Sequence, residues 1–237
     1  MNNTKIEWCD VTINPVIGCT HGCPYCYAKR MNDRFGWIDD WSTPQFFPNQ
    51  LMKLKDSKEP KNIFMNSMSD IADWQGAPFI SLLSKIECHP KHNYLFLTKR
   101  PEELNVDASA MLYMLNHNYP SHKLWFGVTV TNTNETRRMD VLYQKTMYIN
   151  EVNRFISIEP MLDRISFLPL KVGFHWIIIG AETGNRKGKV IPKKEWIDHI
   201  VHQANRANVP VFMKDSLISI VGEANMKREF PKRLRKV

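Results

Sequence analysis

Short apolar runs rich in β-branched and aromatic residues recur along the chain: Thr12–Ile17, Asn62–Met65, Tyr94–Leu97, Leu124–Val130, Arg154–Ile158, Trp176–Ile179 and Val209–Met213. The centres of the later runs lie roughly 20 to 35 residues apart, the length of a strand plus a crossover helix. The segments between them carry helical periodicity. Phe79, Ile80, Leu82, Leu83 and Ile86 make one apolar stripe, and Trp196, Ile197, Ile200, Val201 and Ala204 make a clearer one. Pro192 precedes the second stripe, and Asn208–Pro210 ends it. Pro101 opens a further predicted helix containing Leu104, Met111, Leu112 and Leu115. Strands alternating with helices predict a parallel sheet covered by helices, open or closed into a barrel.

Polar residues follow nearly every run. Asn66, Ser67, Ser69 and Asp70 come after the second run, and Thr98, Lys99 and Arg100 after the third. Thr129, Thr131 and Asn132 mark the fourth, Glu159 the fifth, Glu182 and Thr183 the sixth, and Lys214 and Asp215 the seventh. In a parallel α/β sheet these strand ends share one rim, where ligands bind. The pattern predicts one convergent site in one domain spanning residues 1–237.

Composition narrows the class. Of the 237 residues 43% are hydrophobic, no run of eighteen apolar residues occurs, and the first residues carry no secretory apolar core. A cytoplasmic protein without a membrane partner is expected. Net charge is +8, and from Lys227 to Val237 six basic residues face Glu229 alone. This basic tail, at about 226–237, reads either as a patch for a phosphate-bearing partner or as a solvated terminus.

Five cysteines, three of them within Gly18-Cys-Thr-His-Gly-Cys-Pro-Tyr-Cys-Tyr27, do not make a disulfide framework. Cys19, Cys23 and Cys26, spaced C-x3-C-x2-C, can ligate three corners of an iron–sulfur cluster and leave one iron open. Two other uses stand beside this one. With His21 the three thiols make a Cys3His zinc set, the core of a zinc-stabilised nucleic-acid-binding module. With Cys9 or Cys88 they make a closed four-cysteine cluster, an iron–sulfur electron carrier.

The cysteine spacing, with an aromatic residue before the third cysteine, resembles the signature of the radical S-adenosylmethionine (SAM) superfamily. Ile6-Glu-Trp-Cys-Asp10, Asn14-Pro15, Ser67-Met-Ser-Asp70, Leu97-Thr-Lys-Arg-Pro101, Gly127-Val-Thr-Val130, Ser157-Ile-Glu-Pro160 and Ile179-Gly-Ala-Glu182 resemble a phage-associated group of uncharacterised radical-SAM-like proteins. The resemblance implies a partial (β/α)6-type parallel barrel with a 4Fe-4S cluster in the loop after the first strand. It also implies reductive cleavage of SAM and hydrogen abstraction from a substrate that the motifs do not identify; the positive charge and the phage association tilt toward a nucleotide, a nucleic-acid base or another phosphorylated target. The electron would come from a reductant such as flavodoxin or ferredoxin.

Carried over by position, Cys19, Cys23 and Cys26 are the implied metal ligands and Tyr25 the implied contact to the adenine of SAM. The superfamily often has Gly-Gly-Glu after its second strand, where this chain has Asn66-Ser-Met-Ser-Asp70. Ser67, Ser69 and Asp70 are the expected acceptors for the SAM ammonium, with Ser69 alternatively capping the next helix. Lys99 and Arg100 are expected to bind the SAM carboxylate or an anionic substrate, and Thr129 and Glu159 the ribose hydroxyls. Glu182 and Arg186 lie in a basic loop that reads either as a substrate contact able to receive a phosphate or as a flexible surface loop. Cys88, His89 and His92 read as surface residues, while Met65, Met68, Met111, Met114 and Met139 read as core filler. Trp8 and Trp74 read either as shields for the cluster or as ordinary core packing.

Overall fold

The computed structural model describes residues 4–74, 76–104, 120–170 and 173–234. Nine strands occur among them: β1 (Val11–Thr12), β2 (Val16–Ile17), β3 (Gln45–Phe46), β4 (Asn62–Phe64), β5 (Asn93–Thr98), β6 (Leu124–Thr129), β7 (Asn153–Ile158), β8 (Trp176–Ile179) and β9 (Val211–Met213). Five helices lie between or after them: α1 (Tyr27–Phe35), α2 (Ala77–Cys88), α3 (Arg137–Thr146), α4 (Lys194–Arg206) and the single turn α5 (Ile218–Val221). The first predicted run is two strands rather than one. Val11–Thr12 joins the main sheet, whereas Val16–Ile17 pairs antiparallel with β3. Pro15 lies between them and has no N–H to continue the main ladder.

Seven strands form one parallel sheet in the order β1-β4-β5-β6-β7-β8-β9. Strand order following chain order means that each crossover steps to the neighbouring strand in the same direction. The sheet therefore curls progressively into a half-barrel instead of winding outward on two sides. Helix α2 buries Phe79, Leu82, Leu83 and Ile86 against it, although Ile80 of the expected stripe is 41% exposed. Helix α4 buries Ile197, Ile200 and Ala204, and ends before Asn208 at φ 53. In the stretch opened by Pro101 only the turn Pro101–Glu103 and Leu104 are described, and Met111, Leu112, Met114 and Leu115 lie outside the described residues.

Side-chain alternation divides the sheet into two cores. Ile63, Tyr94, Phe96, Phe126, Val128, Ile156, Ile158, Ile177, Ile179 and Val211 pack under the helices. Phe64, Leu95, Trp125, Phe155, Trp176, Ile178 and Phe212 point to the other, concave face and cluster there with Trp8. Registered neighbours on this inner face climb in layers. One is Leu97, Gly127, Phe155 and Trp176, and the next holds Thr129, Ser157, Ile178 and Phe212. The floor is aromatic, and polarity increases toward the carboxyl rim.

The basic segment read as a solvated terminus is docked as far as it is described. Phe212 bridges Arg228 antiparallel, Phe230 packs on Trp176 with ring centroids 5.2 Å apart, and Leu234 is buried. Asn62 and Asn93 donate to the carbonyls of Leu234 and Arg233 at 3.0 and 3.2 Å, closing the amino end of the half-barrel. His92 is also not a surface residue. It is fully buried, with Nδ1 accepting from Lys61 N at 3.1 Å and Nε2 facing Lys55 O at 3.1 Å. Among the described residues no helix is long and apolar enough to cross a membrane.

Candidate functional site

The loop from Gly18 to Cys26 is built on its own small core. Ala28, Ile38, Trp41 and Met68 form a buried cluster against which Cys19, Cys26, Ile17 and Phe47 pack. Gly18 has φ +109, and a Cβ there would lie 2.8 Å from Pro44 Cα and 3.0 Å from Trp41 O. Only glycine admits that approach. It allows Cys19 N to donate to Trp41 O at 2.8 Å and Gly18 N to Met68 O at 3.0 Å. Cys26 caps α1, its Sγ accepting from Lys29 N at 3.3 Å, and Cys19 Sγ accepts from His21 N at 3.5 Å. All three thiols are free and half-buried. Burial pushes the Cys19 thiol up to about 12 and raises Cys23 as well. Among the described residues, no three His, Cys, Asp or Glu side chains are grouped to hold a metal ion.

The loop is tied to the rim beyond β4. Gly18 and Ser69 form a parallel bridge, and Ser67 Oγ and Met68 N both donate to Asn14 Oδ1 at 3.0 and 3.1 Å. Tyr27 Oη donates to Ser67 O at 2.6 Å. Trp74, buried on the helical side, donates from Nε1 to Ser69 Oγ at 2.9 Å, so it props the loop from behind. Trp8 lies on the inner aromatic floor. Asp70 rather than Ser69 caps the following turn, accepting from Ala72 N at 3.0 Å and, through its other oxygen, from Lys99 N at 2.8 Å. Its expected role as an ammonium acceptor competes with these two backbone bonds.

The next loops close around this one. Lys99 Nζ stands 5.9 Å from the Tyr25 ring centroid and has no ion pair among the described residues. Arg100, expected to bind an anion, instead pairs with Asp73 at 2.7 Å and with Glu103. Asp73 also accepts from Thr20 Oγ1 at 2.9 Å, so Arg100 and the cysteine loop share one carboxylate. Thr129 is fully buried at the rim, and its hydroxyl has no hydrogen-bond partner among the described residues. Beyond it, Glu135 accepts from Thr131 N and Oγ1 at 2.7 and 2.9 Å and pairs with Arg138 at 2.9 Å.

Glu159, before a cis bond to Pro160, pairs with Lys214 across β8. Gly180 makes room for that pair, since a Cβ there would lie 3.1 Å from Lys214 Cδ and 3.2 Å from Glu159 Cγ. Glu182 and Arg186 do not face outward as separate contacts. They bind each other in a two-pronged bridge of 2.6 and 2.7 Å, and the Arg186 guanidinium holds the Glu182 carboxyl below its ordinary range. Cys9 packs on the inner aromatic cluster, with Sγ 3.9 Å from Ile6 O.

Sequence reasoning missed Trp41, Asp73, Glu135 and Arg138. The apolar Ile38 and Trp41 just beyond α1 were a readable signal that something folds back there. Asp73 and Glu135 carried none, because an isolated acidic residue in a polar loop is usually solvated.

A protein of Methanocaldococcus jannaschii described as "Uncharacterized protein MJ0683" is 27% identical over 169 residues, 68% of this chain. The chain spans 64% of the length of that curated relative. No solved structure matches. A family model matches residues 3–229, from before the cysteine loop to the docked basic segment, and the chain belongs to that family, "Protein of unknown function (DUF5131)".

Proposed function

We propose that this chain is a radical SAM enzyme of the half-barrel kind, in which Cys19, Cys23 and Cys26 hold three irons of a 4Fe-4S cluster. The observation that carries the reading is the placement of the three-cysteine loop. It stands on the carboxyl rim of a curled parallel sheet, over an inner face that turns polar at that rim. When bound, the cluster and SAM supply reductive cleavage of a sulfonium bond and hydrogen abstraction from carbon, chemistry that belongs to the cofactors.

By the chemistry of its three free thiols, and not by their present spacing, the donor set fits such a group. Two of the sulfurs, those of Cys19 and Cys26, already accept backbone N–H groups. Because burial keeps Cys19 and Cys23 protonated in the metal-free chain, ligation releases those protons.

The surrounding residues divide the remaining work. The Lys99 ammonium beside Tyr25 suits a carboxylate, and the Thr129 hydroxyl, without a partner among the described residues, suits a sugar hydroxyl. Glu159 and Lys214 present opposite charges that a bound molecule can share. With Asp70 committed to backbone, Ser67 and Ser69 remain as acceptors for an ammonium group. The floor of Trp8, Trp125, Phe155 and Trp176 excludes water from below. The reading requires a one-electron donor of the flavodoxin or ferredoxin kind.

Anaerobic reconstitution with iron, sulfide, SAM and dithionite tests it. The wild-type chain is expected to form 5′-deoxyadenosine, and Cys23→Ala to lose both the cluster absorbance and that product. Zinc without iron or sulfide in anaerobically purified protein would establish the zinc-stabilised module instead. A reduced cluster whose magnetic resonance spectrum ignores SAM would establish the electron carrier.

A further inference from the structure

Helix α1 starts at the last cysteine, and its outward face is unusual for a helix packed on a core. Met31 is 39% exposed, Phe35 55%, and Trp37, one residue past the Gly36 cap, 42%. The Phe35 and Trp37 rings stack on each other with centroids 5.4 Å apart and planes 25° apart. The Arg34 guanidinium lies 5.2 Å from the centre of the Phe35 ring. Leaving two large adjacent aromatics in water forgoes the burial that such rings ordinarily gain.

The cations on this face are less compensated than the acids beside them: Asp33 is held by Lys29, and Asp39 and Asp40 lie beyond Trp37. Arg30 and Arg34 are four residues apart, a like-charge pair that works against the helix. Neither makes an ion pair among the described residues, whereas Lys29 on the same helix is paired with Asp33 at 2.8 Å. Across a narrow gap a Cβ at Gly184 would lie 3.6 Å from Arg30 Nη2. The basic loop carrying the exposed Lys187 and Lys189 therefore continues the positive surface beside α1.

We infer that the outer face of α1, with the Gly184–Lys189 loop beside it, is a track that binds single-stranded nucleic acid and leads it to the cysteine loop. Flat rings presented to water stack on bases, and guanidinium and ammonium groups neutralise the phosphates between them. A duplex hides its base faces and cannot use the aromatic pair. An acidic protein would use the charges but not the stacking. The delivery of a strand to chemistry rests on the function proposed above. The binding itself needs no cluster and is measured separately.

The probe is a fluorescent mixed-sequence DNA strand of about 12 nucleotides, within the span such grooves cover. It is titrated against the full chain as a single strand and as a duplex over a range of salt. Preferential single-strand binding is expected. Phe35→Ala/Trp37→Ala should weaken it tenfold or more, since each lost stack removes about that factor. Phe35→Tyr/Trp37→Phe, which keeps the stack, should restore it. Arg30→Ala/Arg34→Ala should lower the slope of log affinity against log salt by about 1.4, the yield of two phosphate contacts on a single strand. Lys145→Ala, a basic change on the exposed side of α3, should leave it near wild type, with thermal melting confirming that every variant folds.

Equal affinity for duplex, an unchanged Phe35→Ala/Trp37→Ala variant, or a Lys145→Ala loss matching that of the arginine pair would overturn the track. Polyglutamate of equal charge binding as tightly would overturn it in favour of an acidic protein surface. A chain that forms 5′-deoxyadenosine but fails these titrations keeps its chemistry and loses only the track.

Discussion

Gly18 and Gly22 both take positive φ within the cysteine loop, at +109 and +71, but their surroundings separate them. A Cβ at Gly18 meets backbone at 2.8 Å, whereas one at Gly22 meets nothing within 4 Å. Gly22→Ala should therefore cost only the conformational strain, about 1 kcal/mol. Gly18→Ala adds a clash with rigid backbone and should cost roughly 3 kcal/mol or more and, on the proposed function, reduce iron incorporation. Denaturant unfolding and iron analysis of the two variants check the contrast. His92 makes a second residue-scale case. Burial lowers its pKa from the ordinary 6.5, and its Nδ1 already accepts Lys61 N–H. The unfolded chain then binds more protons below about pH 6.5, so stability is complete above that value and falls as pH drops toward the folded pKa. Unfolding midpoints at about pH 7.5 and 5.5 should show the loss, and His92→Gln should flatten it. The spacing Cys88, His89, His92 could not reveal this, because the partner carbonyl belongs to Lys55, far back in the chain.

At the scale of elements, the alternation of β6 and β7 places Gly127 directly beside Phe155 on the inner face. A Cβ on Gly127 would lie 2.4 Å from the Phe155 ring, so the glycine is the space that the ring fills. Gly127→Ala should cost about 1–3 kcal/mol by overpacking. Adding Phe155→Leu should recover part of that loss, a coupling that a double-mutant cycle of unfolding free energies measures directly. The strands themselves were readable, because each apolar run has the right length and is bounded by polar residues. The β2–β3 ribbon was not. Val16 pairs with Phe46 across thirty residues of chain, and neither two-residue strand has enough periodicity to announce itself.

On the whole molecule, the docked basic segment changes what the positive charge means. Leu234 is 2% exposed and packs into the inner cluster with Trp8 and Trp176. Leu234→Ala should cost roughly 2–5 kcal/mol, the range for emptying a core leucine. A solvated terminus would instead leave the thermal midpoint unchanged. The segment's sequence looked polar because its charges outnumber its anchors. Phe230 and Leu234 are outnumbered by the six basic residues around them, and their burial depends on a sheet built by the rest of the chain.

Apart from the β2–β3 ribbon, α1 and α3, local chemistry and periodicity were enough to determine the alternation of strands and helices, the parallel sheet and the three clustered cysteines. Each of these follows from residues near one another along the chain. Tertiary structure alone decided which rim residues stay available. It gave Asp70 to the Lys99 backbone, Arg100 to Asp73, Glu182 to Arg186 and Glu159 to Lys214, and left the Thr129 hydroxyl without a partner among the described residues. The physical reason is that a charged or polar side chain binds whichever complementary group lies within about 3 Å when the loops come together. That distance is set by how the sheet curls.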